Sequence, residues 1–186
     1  MIPIIPFQKQ LSSEWTGGST IQLFIFPPQS SYAERNFLAR ISTATIRIPK
    51  SDFTSLPGYN RLLLVLEGNL NIKHQEAHQI TLHPYDTDQF KGDWHTSSEG
   101  LATDFNIIHK PEVEARVSVH KLDTGQQLIF PSSPAYRILF LHGGQGNLLN
   151  EFETMIYKER DTCCITPTDS IQFEATAPSI LIESTL

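Results

Sequence analysis

A chain of 186 residues with 39% hydrophobic and 18% charged side chains has enough apolar material for one packed domain or two small, joined ones, which excludes a disordered polymer. Its net charge of -6 argues against nucleic acid as a partner, because phosphate binding is driven by clustered Lys and Arg and the sequence has no basic stripe. No stretch approaches the roughly 20 apolar residues of a helical membrane span, and the opening MIPIIPFQKQ, with two prolines and no positive leading segment, does not read as a secretory signal.

Helical periodicity is absent over any window of useful length, while short β-rich runs recur between turn signals. In chain order they are TIQLFIF (20–26), FLARISTATIRI (37–48), RLLLVLE (61–67), QITLH (79–83), DFNIIHK (104–110), VEARVSVHKL (113–122), QQLIF (126–130), YRILFL (136–141), FETMIYK (152–158), TCCIT (162–166) and SILIE (179–183). In VEARVSVH, Val113, Ala115, Val117 and Val119 alternate with Glu114, Arg116, Ser118 and His120, the pattern of an antiparallel sheet with one wet face. Ten Gly and twelve Pro supply the turns that an all-β chain needs. The adjacent Cys163 and Cys164 would face opposite sides of a strand, which disfavours a disulfide and favours a reducing, cytoplasmic setting.

The sequence also repeats itself. Pro-x-Asp-x-x-Gln-Phe occurs at 84–90 and at 167–173, and upstream of the two copies stand RLLLVLEG (61–68) and RILFLHGG (137–144). Each upstream run is an Arg, an apolar strand and a Gly turn, so the chain reads as two copies of one β unit with the seam near residues 109–111. The expected division is therefore 1–110 and 111–186.

Duplicated β units of this kind suit cupin-type jelly rolls, and the first half carries linked motifs that sharpen the reading. WTGGST, FLARISTA, FTSLPGYNRLLLVLEG, FKGDW and TDFNIIHK occur in order. In that order and spacing the chain resembles the HutD/Ves family of bicupins over about residues 15–110. The resemblance implies an all-β bicupin of two jelly-roll barrels, with the first barrel keeping a small polar pocket and the second serving as scaffold. It implies a regulatory protein that binds a small carboxylate linked to histidine utilisation, such as formate, a formylated amino acid or urocanate.

Arg40 shares a strand face with Leu38, Ser42, Ala44 and Ile46, where a guanidinium is costly unless it meets an anion or accepting oxygens. Arg61 opens the apolar run LLLVL. Two such arginines can grip a carboxylate, whereas the plainer alternative pairs Arg40 with Asp93 or Asp104 and Arg61 with Glu67. Asp104 and Asn106, two apart on a strand, point to one side and offer polar atoms to a pocket. Asp93 either orients an arginine or ends a strand, and Phe53, Tyr59 and Trp15 are candidates for an aromatic wall or for plain core. The ligand set read from the sequence is thus Arg40, Arg61, Asp104, Asn106, Asp93, Phe53 and Trp15.

No cofactor and no metal are expected, since the chain has no His-x-His pair. His74, His78 and His83 are near one another in sequence, but four residues of extended strand span on the order of 13 Å, so solvent-facing hairpin histidines are the expectation, and a loop that gathers them around one ion is the lesser alternative. No Gly-x-Ser-x-Gly elbow occurs. Two rival functions stay open: a metal-independent cupin-type isomerase or hydrolase using Asp93, His95, Asp104 or Tyr59, and a protein-interaction module with a vestigial pocket. Self-association as a homodimer is also left open.

Overall fold

The computed structural model describes residues 2–75 and 77–186. It is all-β, with a single short 3-10 turn at Phe7–Lys9. Strand β1 is Ile4–Ile5. Ten strands follow as β2 (Leu11–Trp15), β3 (Gly18–Phe26), β4 (Ala39–Ile46), β5 (Lys50–Asp52), β6 (Asn60–Gly68), β7 (Leu70–His74), β8 (Gln79–Leu82), β9 (Thr87–Lys91), β10 (Thr96–Glu99) and β11 (Ala102–His109). The rest are β12 (Arg116–Leu122), β13 (Gln127–Phe130), β14 (Arg137–Gly143), β15 (Gln145–Leu149), β16 (Thr154–Lys158), β17 (Thr162–Ile165), β18 (Ile171–Ala175) and β19 (Ser179–Thr185). Among the described residues no helix is long and apolar enough to cross a membrane.

The chain divides into two compact units, Leu11–Glu114 and a second made of Ala115–Leu186 with residues 2–10. Sequence order groups residues 1–10 with the first unit, but β1 adds to the edge of the second by pairing Ile4 with Cys163. In the Leu11–Glu114 unit a six-stranded antiparallel sheet, β2-β3-β4-β11-β6-β9, accompanies a four-stranded sheet, β5-β10-β7-β8. Leu63 and Val65 of β6 share one core with Leu70 and Ile72 of β7, Leu82 of β8 and Phe90 of β9, so the two sheets bury their apolar faces against each other. In the other unit, β1-β17-β14-β19-β12 accompanies β13-β18-β15-β16. Leu139, Leu141, Leu181, Tyr157 and Phe173 are among the residues that fill its core.

The strand orders superpose term by term: β4-β11-β6-β9 on β12-β19-β14-β17, and β5-β10-β7-β8 on β13-β18-β15-β16. Arg61, the second residue of β6, and Arg137, the first of β14, hold the equivalent place at the start of these strands. Gly68 and Gly144 turn out of them at φ 78° and 92°, each so close to a backbone carbonyl that an added Cβ would lie 2.3 Å from it. The duplication is therefore present, but the Pro-x-Asp-x-x-Gln-Phe copies are not equivalent positions. The first leads into β9 of the six-stranded sheet, whereas the second leads into β18, the counterpart of β10. What they share is local chemistry. Asp86 accepts the His83 N–H at 2.9 Å and Asp169 accepts the Thr166 N–H at 3.3 Å, each closing the same turn ahead of a strand whose Phe is buried.

Two further expectations are refined. The polar face of β12 is not simply wet, because His120 on it bonds Glu183 and Leu122 on it enters the core. The cysteines are free, as their alternation predicts, with Cys163 buried and Cys164 partly so, and burial pushes their thiols up to about 12 and about 11.

Candidate functional site

One cavity, of about 260 Å³, opens on the inner face of the six-stranded sheet in the Leu11–Glu114 unit. Its polar wall comes from two adjacent strands. On β4, Arg40, Ser42 and Ala44 face inward, and on β11, Asp104 and Asn106 stand beside Ala44 and Ser42 in register. Trp15, Tyr32 and Phe53 close the rest of it.

Arg40 and Arg61 flank Ile108 of β11 from its two neighbouring strands, in one row and two strand spacings, about 10 Å, apart along the backbone. Arg40 is in the cavity wall. Its Nε donates to Gln22 Oε1 at 2.9 Å and its Nη1 to Ser42 Oγ at 3.2 Å, with the guanidinium over the Tyr32 ring. Nη2 has no hydrogen-bond partner among the described residues. Arg61 sits behind the wall, stacked on Phe53 at 4.7 Å and Phe90 at 5.4 Å, with one long bond of 3.5 Å from Nη1 to the Thr54 carbonyl.

Among the described residues neither arginine forms an ion pair, so the structural pairs with Asp93, Asp104 or Glu67 do not form. Five buried side-chain polar atoms lack a partner among the described residues, and three of them, Arg61 Nε, Asp104 Oδ1 and Asn106 Oδ1, meet here. An unsatisfied buried polar group costs about 1–3 kcal/mol, so such convergence marks a place where stability is spent on something other than folding.

The electrostatics follow from burial. Desolvation lowers the Arg61 pKa to about 10, opposed by Tyr32 and Asp104, which leaves it charged at neutral pH. Desolvation also lowers Arg40. Asp104 is pushed up to about 7 by burial, with Arg61 pulling the other way. A carboxyl in that range is half neutral at physiological pH, so the two positive charges are not cancelled by it.

The second unit supplies an internal comparison. Arg137 occupies the place of Arg61, and Glu183, aligned through β14 and β19, occupies that of Asn106. Arg137 Nε donates to Glu183 Oε1 at 2.7 Å, and His120 bonds the other oxygen at 2.8 Å. There the protein carries its own counter-ion. A larger hollow of about 550 Å³ in that unit, between Ile129, Phe152 and Asp169, has no cationic side chain in its lining.

Of the residues read from the sequence, Arg40, Asp104, Asn106, Phe53 and Trp15 line the cavity, with Arg61 immediately behind Phe53. Asp93 is exposed in the turn after β9 and does not line it. Tyr59 is core, its hydroxyl donating to the carbonyls of Arg35 and Phe37. Gln22 and Tyr32, which hold Arg40, escaped the sequence reading. A signal for the site did exist, since Ala-Arg-Ile-Ser at 39–42 and Ala-Arg-Val-Ser at 115–118 recur at the same offset as Arg61 with Arg137 and Gly68 with Gly144.

The cavity does not fit a metal ion: its acids, Glu14, Asp52 and Asp104, do not converge into a ligand cluster, no His or Cys lines it, and the Arg40 guanidinium stands in its wall. The histidines depart from expectation. A hairpin in which the His74 N–H donates to the His78 carbonyl brings the two rings to 4.5 Å, and His74 is buried rather than solvent-facing. Extended-strand spacing fails across a turn, whereas His83 stays apart, bonded to Asn69.

No curated protein sequence matches the chain. Among solved structures it is similar to the conserved protein of unknown function PA5104 from Pseudomonas aeruginosa PAO1, with TM-score 0.84, 19% identity and coverage of 100% of this chain and 98% of that one. HutD from Pseudomonas fluorescens SBW25, solved in a formate condition, gives TM-score 0.72, 22% identity and coverage of 100% and 98%. The oxalate decarboxylase–formate complex of Lactobacillus farciminis gives TM-score 0.75, 7% identity and coverage of 100% and 86%. At these identities the likeness shows a shared fold, of cupin type. The model of one family, HutD, matches residues 8–182, nearly the whole length, and the chain belongs to the HutD family.

Proposed function

We propose that this protein is a bicupin whose first barrel captures a small carboxylate-bearing metabolite and whose second barrel is scaffold, with a regulatory rather than catalytic role. The observation that carries the reading is the contrast between the two units: Arg137 is neutralised by Glu183, while Arg61 faces the neutral Asn106 and has no ion pair. A buried cation without an internal partner is stabilised by an anion from outside. Arg40 meets the carboxylate through Nη2, and Arg61 adds its charge from behind Phe53. The unpartnered oxygens of Asp104 and Asn106 then favour a guest that also brings an N–H or O–H donor. Among small acids of the class that the oxalate decarboxylase–formate complex suggests, a formylated amino acid or urocanate supplies such a donor, and formate itself does not. A cavity of 260 Å³ suits molecules of that size.

Titration calorimetry with formate, acetate, an N-formyl amino acid, urocanate and a neutral amide of matched size tests this. The expected result is binding of the acids only, with the donor-bearing acids tighter than formate by up to about tenfold, the value of one hydrogen bond to a buried neutral acceptor. A protein that binds none of them is better read as an interaction module. The enzymatic reading rests on Asp104, whose carboxyl near 7 is poised to move a proton, and product formed from any of these acids would favour it.

A further inference from the structure

We infer that His74, His78 and Asp88 form a site for one divalent transition-metal ion of the zinc class. The three residues come from different places. His74 ends β7, His78 lies beyond the turn that follows, and Asp88 lies on β9 in the other sheet of the unit. Their ligand atoms nevertheless lie within 4.8 Å of one another. Both oxygens of the one carboxylate are used, with His74 Nε2 at 2.7 Å from Oδ2 and His78 Nε2 at 3.1 Å from Oδ1. Those separations are close to the spacing of neighbouring ligands around an ion that takes bonds of about 2.0–2.1 Å.

The hydrogen-bond pattern is that of an oriented metal-binding histidine. The Thr96 hydroxyl donates to the Trp94 carbonyl, at 3.3 Å, so its oxygen is an acceptor for the His74 ring, 2.8 Å away. With Nδ1 turned to Thr96, Nε2 is the ring nitrogen that faces Asp88. A metal ion between Nε2 and the carboxylate takes the place of the proton that otherwise joins them. The Nδ1–H bond to Thr96 is also the kind of outer contact that orients a metal-binding histidine.

The surroundings fit the same ion. His74 is fully buried against Phe90 and Trp94, Asp88 is nearly so, and His78, about two-fifths exposed, opens the way in and leaves room for water. Two imidazoles and one carboxylate suit zinc, nickel or copper and disfavour magnesium and calcium, which want oxygen ligands. An ion here would clip the β7–β8 hairpin to β9, joining the two sheets at one end. Neither the Arg40 cavity nor its ligand enters this inference.

The test uses full-length protein stripped with a chelator and titrated calorimetrically with zinc chloride, then with magnesium chloride. One equivalent of zinc at micromolar affinity or better is expected, with no magnesium binding, and zinc should raise the melting midpoint by about 4 °C. His78→Ala changes an exposed side chain and leaves the core alone, and Asp88→Asn keeps the shape. Each should weaken zinc at least about thirtyfold and abolish the thermal shift. No zinc binding by the unsubstituted protein, or binding that either variant leaves unchanged, overturns the assignment.

Discussion

An Arg61→Met variant will bind small acids about thirtyfold more weakly and yet melt no lower than the unsubstituted protein. The two halves of that result have one cause. Arg61 is 7% exposed, its Nε has no partner, and its single hydrogen bond, to Thr54, is 3.5 Å long. Little is gained in folding from such contacts, while desolvation of the charge costs several kcal/mol, so a Met of similar length lying on Phe53 and Phe90 leaves stability unchanged or raises it by about 1–4 kcal/mol. A bound carboxylate does feel the charge. At a separation of about 8 Å and an effective dielectric near 20, the attraction is about 2 kcal/mol, or some thirtyfold in affinity. Calorimetry and thermal melts on the same samples check both halves. A variant that loses stability along with binding would mean that Arg61 is a structural residue.

Stability and acid binding will both fall as pH rises from 5 to 8, and Asp104 will be the reason. Burial pushes its carboxyl up to about 7 in the folded protein from the ordinary 3.8, so between those values the folded chain holds a proton that the unfolded chain has released. Stability from that proton is fully present below about 4 and is lost as pH climbs through 7, by an amount on the order of a few kcal/mol. Asp104→Asn removes the titration, and urea melts of the variant should show a much flatter profile between pH 5 and 8. The same proton decides affinity. Above pH 7 an ionised Asp104 repels the guest, so affinity for an acid already ionised throughout should drop by up to about tenfold per pH unit, and the Asn variant should not follow.

The sequence made the β architecture legible because its central strands are apolar runs bounded by Gly and Pro, as in RLLLVLE and RILFLH. Strands that run at edges or in hairpins, such as LNIKH, TSSE and KSD, escaped notice because their side chains are polar or half-exposed and their pairing comes from tertiary context. Of the two markers of the duplication, RLLLVLEG and RILFLHGG fall on equivalent strands and the Pro-x-Asp motif does not. Pro-x-Asp turns recur wherever a strand must be entered sharply, so the two Gln-Phe motifs match in local chemistry but fall on non-equivalent strands.

Alternation along β4 and β11 placed Arg40, Asp104 and Asn106 on one wall, since a period of two is a property of the backbone. What alternation does not carry is depth. It gave no means of separating Arg40, in the wall, from Arg61 behind Phe53, and it left Asp93 among the candidates although that residue is in an exposed turn. The His74–His78 contact was ranked too low for a related reason, because a turn shortens a distance that a strand would stretch.

Installing in the first unit the acid that the second already has is the most direct trial of the capture account. In Asn106→Glu the new carboxylate stands where Glu183 stands beside Arg137, and it should pair with Arg61 in the same way. Calorimetric titration with an N-formyl amino acid is predicted to give clear heats with the unsubstituted protein and none with the variant, while both fold alike. Equal binding by the two proteins would contradict the account.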